Sequence, residues 1–222
     1  MKKHIVLVYF SLIVLICFSN TIAQERKITE QEMNSVGKNW TLKGKAYRLK
    51  KSGKSFDKKN GKITNVFEEV TEYDTLGNSH TIMEFGRTSE YLQRHEYFII
   101  GKTSYDLPPS GKWRVGEVKP ESEEQKARRI SRQSKKETIA EHIYKGKILL
   151  KNQEADLYES KIIEKYKENG REFISIIITK KWYNKNGMLM KNEWTADNEL
   201  HSFYRVFEIE LDPSIKIEAP IK

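Results

Sequence analysis

Histidines, serines and paired carboxylates are the residues from which most exported enzymes build a site, and their spacing in this chain is unpromising. Beyond residue 23 the histidines are His80, His95, His142 and His201. None has a second ligand-type side chain at metal-binding spacing, and "AEHIY" around His142 lacks the paired histidine of a zinc helix. The expectation is no metal and no cofactor. No Gly-x-Ser-x-Gly elbow occurs, and Ser110 merely precedes a turn glycine. The Gly-Lys-Thr that begins at Gly101 has Glu96 where a phosphate loop requires its first glycine. Glycan hydrolysis needs two carboxylates facing each other across a groove. Glu68, Glu69, Glu84, Glu90, Glu96, Glu193 and Asp197 lie on or near strand-like runs, where a solvated strand face accounts for them without catalysis.

The residues that remain are suited to binding. "WYNKNGMLMKNEW", Trp182 to Trp194, holds an Asn-Gly step between two alternating runs. A type I turn with Gly187 in the left-handed position, followed by a glycine bulge, fits it. That turn sets Trp182 opposite Met190. Counting by twos then puts Ile174, Ile176 and Ile178 on the face of Trp182, with Met188, Met190 and Trp194 returning on it. The alternation reads first as packing in a core. The functional alternative is the wall of an apolar pocket made by Trp182, Met188, Met190, Trp194, Ile176 and Ile178, with methionines that adapt to varied ligands. A second feature is the basic run "KARRISRQSKK", with Lys126, Arg128, Arg129, Arg132, Lys135 and Lys136. It reads as a solvated helix face or as a contact for an anionic envelope surface.

The elements that must position these residues follow from pattern. The opening "MKKHIVLVYFSLIVLICFSNTIA" has two lysines, an apolar run and small residues before Gln24, the order of a secretory signal peptide over residues 1–23. The chain is 222 residues with formal charge +9, and removing Lys2 and Lys3 leaves an exported part of about 200 residues that is still strongly basic. Cys17, the one cysteine, falls inside that signal, so the exported part has no disulfide and no thiolate chemistry. Residues 24–222 suit one domain. Ile28 to Trp40 predicts a short helix, with Thr29 and Glu32 as a capping box. Thereafter turn signals recur at Ser52-Gly53, Asn60-Gly61, Gly77-Asn78, Gly101, Gly111, Asn169-Gly170 and Asn186-Gly187, between runs rich in β-branched and aromatic residues. They predict an antiparallel meander of about eleven strands. Pro120 to Gly146 interrupts it: early glutamates and later lysines match a helix dipole, and the segment predicts a polar helix lying over the sheet. "SFYRVFEIEL" is the last strand before Pro213.

Four stretches have a family cadence. "YFIIGKTSYDLPPSGKWR" is similar to a mid-chain hairpin ending in Gly-x-Trp, and "ILLKNQEADLYES" to a turn with a Tyr-ending strand. "KKWYNKNGMLMKNEW" and "YRVFEIELDPSIKIEAPIK" resemble the aromatic hairpin and the closing Ala-Pro strand of the LolA-like periplasmic superfamily, to which outer-membrane lipoprotein-sorting proteins belong. These stretches, Tyr97–Arg114 and Ile148–Lys222, make up roughly half of the chain beyond the signal. The resemblance implies a mainly β fold: a strongly curved antiparallel sheet, an incomplete barrel, with one or two covering helices over an apolar concave side. It also implies a non-enzymatic carrier of a lipid or acyl chain in the periplasm or outside the cell. Export makes a nucleic acid partner unexpected, and a monomer is expected. The alternatives are an envelope surface-interaction protein with a filled core and a secreted glycan-active hydrolase.

Overall fold

The computed structural model of the chain describes residues 25–88, 92–119, 122–126, 137–168 and 171–221. The expected signal peptide, the turn at Asn169-Gly170 and most of the basic run lie outside them. The described residues form one twelve-stranded antiparallel sheet that does not close into a barrel. Its strands are β1 (Arg26–Ile28), β2 (Tyr47–Asp57), β3 (Ile63–Tyr73), β4 (Ser79–Gly86), β5 (Gln93–Ile100), β6 (Thr103–Leu107), β7 (Arg114–Glu117), β8 (Glu137–Leu150), β9 (Gln153–Glu168), β10 (Arg171–Asn184), β11 (Leu189–Asp197) and β12 (His201–Leu211). One helix, α1 (Glu30–Ser35), follows β1. The mainly β class and the incomplete barrel agree with the sequence reading.

The spatial order is β1-β8-β9-β10-β11-β12-β2-β3-β4-β5-β6-β7. Two meanders, β2 to β7 and β8 to β12, are therefore joined by a ladder between β12 and β2, which pairs His201 with Asp57 at one end and Leu211 with Tyr47 at the other. The exposed edges are β1 and β7, the two shortest strands, and short edges limit pairing with other chains.

Three expectations are corrected. Of the helix drawn over Pro120 to Gly146, residues 123–126 are helical, whereas Glu137 to Gly146 belong to a long strand, β8. From Glu137 the side chains alternate: Ala140, His142 and Tyr144 face one way, and Ile139, Glu141 and Ile143 the other. Pairing with both β1 and β9 overrides the charge polarity that suggested a helix. Ser52-Gly53 is not a turn but the middle of β2. Gly53 is needed there for space: a Cβ would come within 2.5 Å of the Phe67 ring and 2.9 Å of the Tyr204 carbonyl. The third correction, the register at Trp182, belongs to the site.

The capping box is present as expected. Glu32 N donates to Thr29 Oγ1 (3.1 Å) and Thr29 N to Glu32 Oε2 (2.8 Å). A helix of six residues is not stable alone. It is held by packing Ile28 and Met33 on Tyr183, with Val36, Tyr144, Tyr158 and Leu189 around them. The side of the sheet that carries α1 is called the inner face below.

Candidate functional site

The hairpin at Asn184 to Met188 is built as the sequence implies. Gly187 has φ +74°, Gly187 N donates to the Asn184 carbonyl (2.9 Å), and Asn184 N donates to the Met188 carbonyl (2.9 Å). Beyond it a second irregularity intervenes. Tyr183 pairs with Leu189, but Trp182 pairs with Lys191 and not with Met190, because Met190 is bulged out. A one-residue slip moves every later side chain to the opposite face. The six residues expected to make one wall are therefore divided. Trp182, Ile176 and Ile178 lie on the outer face. Trp194 pairs with Thr179 and lies on the inner face. Met188 is buried at the turn and Met190 is half-buried at the bulge.

On the outer face Trp182 is buried, with Lys191 Nζ over its ring at 5.1 Å. Ile176 and Ile178 are exposed and, with Phe56, Thr195, Ser202 and Tyr204, edge an open groove of about 290 Å³. This face is otherwise crossed by ion pairs. Asp212, Arg48, Glu72, His80, Glu96 and Arg94 form a chain over four strands, with successive contacts of 3.6, 2.6, 4.0, 2.8 and 3.4 Å. The carboxylates considered for hydrolysis are mostly engaged. Glu69 is tied to Lys51 (2.5 Å), Glu96 to His80, Glu193 to Lys191 (2.7 Å) and Asp197 to Lys58 (3.1 Å). Glu68 and Glu84 stand opposite each other on the outer face of β3 and β4, and Glu90 lies outside the described residues. Among the described residues no three His, Cys, Asp or Glu side chains gather as metal ligands.

The inner face has a different chemistry. Register places Tyr144, Tyr158, Lys181, Asn192, Phe207, Lys51, Glu69, Met83 and His95 in one row across the sheet. The next row contains Trp194, Arg205, Gly53, Phe67 and Phe85. The small residues on this face are nearly sealed, with Thr81 1% exposed and Thr71 3%, because larger neighbours lean over them, as on the concave side of a curved sheet. The large ones are not sealed. Tyr47, Phe67, Tyr73, Phe85, Tyr97, Trp194, Phe203 and Phe207 all remain half-buried. Among the described residues α1 and Val36 lie over this face at the end marked by Tyr183, and the Leu42–Lys45 loop lies beside Tyr47 and Tyr73. Among the described residues the inner face thus presents partly exposed aromatic surface.

Polar groups on this face are mostly paired. Lys51 holds Glu69, and His95 holds Asp106. The Tyr144 hydroxyl donates to Asp156 Oδ1 (2.7 Å). Burial first, and then that hydrogen bond to a carboxylate, pushes the Tyr144 phenol up to about 12. The native chain thus holds this proton more tightly than the unfolded chain does. The resulting stability is complete below the ordinary phenol value near 10 and is lost as pH rises through about 12. We expect Tyr144→Phe to lower the unfolding free energy by about 1 kcal/mol at neutral pH. The difference from wild type should shrink toward zero as the solution approaches the upper limit. Urea titrations across the alkaline range test this, and a constant difference would refute the assignment.

Lys126, the described member of the basic run, is exposed and lies 3.7 Å from Glu123. Arg128, Arg129, Arg132, Lys135 and Lys136 lie outside the described residues. Sequence reasoning passed over Lys181, Asn192, Arg205 and Phe207. Their signal was present in part, since Lys181 alternates in step with Ile177, Thr179 and Tyr183. The bulge at Met190 concealed which residues of β11 and β12 join them.

With this geometry the chain is similar to two solved structures. One is a LolA superfamily protein from Nitrosomonas europaea, at 6% identity and a TM-score of 0.32, covering 83% of this chain and 94% of that one. The other is a domain assigned to outer membrane lipoprotein sorting, from Vibrio parahaemolyticus, at 8% identity and a TM-score of 0.29, covering 84% and 92%. No protein-family model and no curated protein matches the chain.

Proposed function

We propose that this chain is an exported, non-enzymatic binding or carrier protein for a lipid or other apolar ligand. The observation that supports this is the inner face. Eight aromatic side chains there stay half-buried, and the helix packed at one end of that face is only one and a half turns long. Aromatic surface left unfilled on a concave sheet is a place for an apolar molecule. A core filled by the chain's own side chains, which a purely surface-acting protein would have, does not fit that exposure. Of the wall drawn from sequence, Trp194 belongs to this site, and Phe67, Phe85, Phe203 and Phe207 complete it.

The test is native mass spectrometry of the protein isolated gently from an exporting bacterium, before and after solvent extraction. An added lipid-sized mass that extraction removes is the expected result. A bare chain that also fails to take up added hexadecanoate would overturn the reading in favour of a surface-interaction protein. Two variants separate the faces. Phe207→Asp on the inner face should abolish uptake, whereas Ile178→Asp on the outer face should leave it unchanged. The reverse pattern, in folded variants, would move the site to the outer groove.

A further inference from the structure

Lys181 is a half-buried cation on the inner face that, among the described residues, has no anion. Other lysines in the same burial range have partners, with Lys45 over the Trp40 ring at 4.6 Å. Lys51 holds Glu69, Lys145 lies 3.1 Å from Glu25 and 3.9 Å from Glu159, and Lys191 holds Glu193. Lys181 is half-buried, has no carboxylate within ion-pair reach among the described residues, and its ammonium is pushed down from its ordinary value by burial alone. Withdrawing a charge from water without a partner costs stability, so proteins seldom keep one unless something else completes it.

Asn192 is incomplete in the same way, whereas Arg205 is exposed to water. Asn192 stands directly opposite Lys181 on β11, and its amide oxygen is buried with no hydrogen-bond partner among the described residues. One row on, Arg205 lies between the rings of Trp194 (5.2 Å) and Phe67 (5.7 Å). No carboxylate is paired with it among the described residues. Gly53 makes the room, since a Cβ there would stand 3.0 Å from Arg205 Cγ. The nearby inner-face carboxylates Glu69, Asp106 and Asp156 already have partners. Two unpaired cations and an unsatisfied amide therefore surround β11 in the middle of an aromatic surface.

We propose that the ligand is an acyl-chain amphiphile ending in an oxyanion, with its head held by Lys181, Asn192 and Arg205 and its chain lying on Trp194, Phe207 and Phe203. This rests on the carrier reading above. The Lys181 ammonium and the Arg205 guanidinium donate to the oxyanion, and the Asn192 amide, free to turn over, donates beside them or accepts from a protonated head. A carboxylate and a phosphate monoester offer the same chemistry here, and the test distinguishes them.

The experiment measures binding of three probes of equal chain length to the full, delipidated protein: hexadecanoate, hexadecyl phosphate and the neutral hexadecanol. Wild type should bind at least one of the two anions about tenfold more tightly than the alcohol. The tighter of the two anions identifies the head. Lys181→Met should erase most of that preference, with the loss falling on the anions. The same variant should unfold at no lower a urea concentration than wild type, because it replaces an uncompensated charge by an apolar side chain of similar length. Arg205→Gln should reduce the preference further. Equal affinity of wild type for the alcohol and both anions, or an unaltered preference in Lys181→Met, overturns the head-group assignment and leaves the carrier reading standing. Failure of wild type to bind any of the three overturns both.

Discussion

Tyr183→Ala is expected to lower the unfolding free energy by about 3 kcal/mol, the usual cost of removing a large buried ring. Tyr183 is 8% exposed and sits where three elements meet. Its ring meets Tyr158 edge-on at 5.8 Å, and Ile28 and Met33 pack on it from β1 and α1. The turn after α1 is seated on the same point. Gly37 has φ +71°, and a Cβ there would come within 2.8 Å of the Gly187 carbonyl and 3.0 Å of the Tyr183 ring. The opening hairpin is thus the seat of the helix: its tip receives the turn and its last inner residue receives the apolar side. Because α1 has only six residues, it depends on that seat, and the loss should appear locally as well as globally. Hydrogen exchange at the α1 amides should accelerate in Tyr183→Ala while the β3–β4 ladder remains protected. Tyr183→Phe, which keeps the ring, should stay within about 0.5 kcal/mol of wild type. A Tyr183→Ala variant of wild-type stability, with α1 still protected, would show that something else holds the helix.

Gly53→Val should cost about 2 kcal/mol, the scale of overpacking at a site that cannot relax. Gly53 lies in the ladder that joins the two meanders, paired with Arg205 on one side and Phe67 on the other. The space above it is taken by the Phe67 ring and the Arg205 stem, and the Tyr204 carbonyl is backbone that cannot move aside. Equilibrium unfolding measures the cost. The same substitution should displace Arg205 from between Trp194 and Phe67 and quench less of the Trp194 fluorescence change on ligand addition. Wild-type stability in Gly53→Val would mean that the β2–β12 junction is far looser than its register indicates. The contrast with the turn glycines is physical: Gly77, Gly101 and Gly111 are required for their positive φ and have open space around them, whereas Gly53 is required for what passes over it.

Several elements were legible in the sequence for local reasons. The capping box of α1 and the left-handed glycine of the Asn184–Met188 hairpin depend on a few adjacent residues, and both are formed as expected. The mainly β class followed from turn signals recurring between β-branched and aromatic runs. What misled was also local. A run of glutamates followed by lysines matches a helix dipole, yet Glu137–Leu150 pairs on both sides in the sheet, and nothing near it in sequence specifies β1 or β9 as its neighbours. Ser52-Gly53 has the composition of a turn, and only the approach of Phe67 and Arg205 shows otherwise.

The site divides along the same line. By itself the sequence determined that this is a β-rich chain, and its aromatic strands read first as a packed core. Tertiary structure alone decided which residues share a face, because side-chain direction in a strand has a period of two and a single bulge at Met190 reverses it. That reversal separates Trp194 from Trp182, Ile176 and Ile178, and brings it beside Lys181, Asn192 and Arg205. The pairing of β12 with β2, between residues far apart in the chain, then closes the aromatic inner face around them.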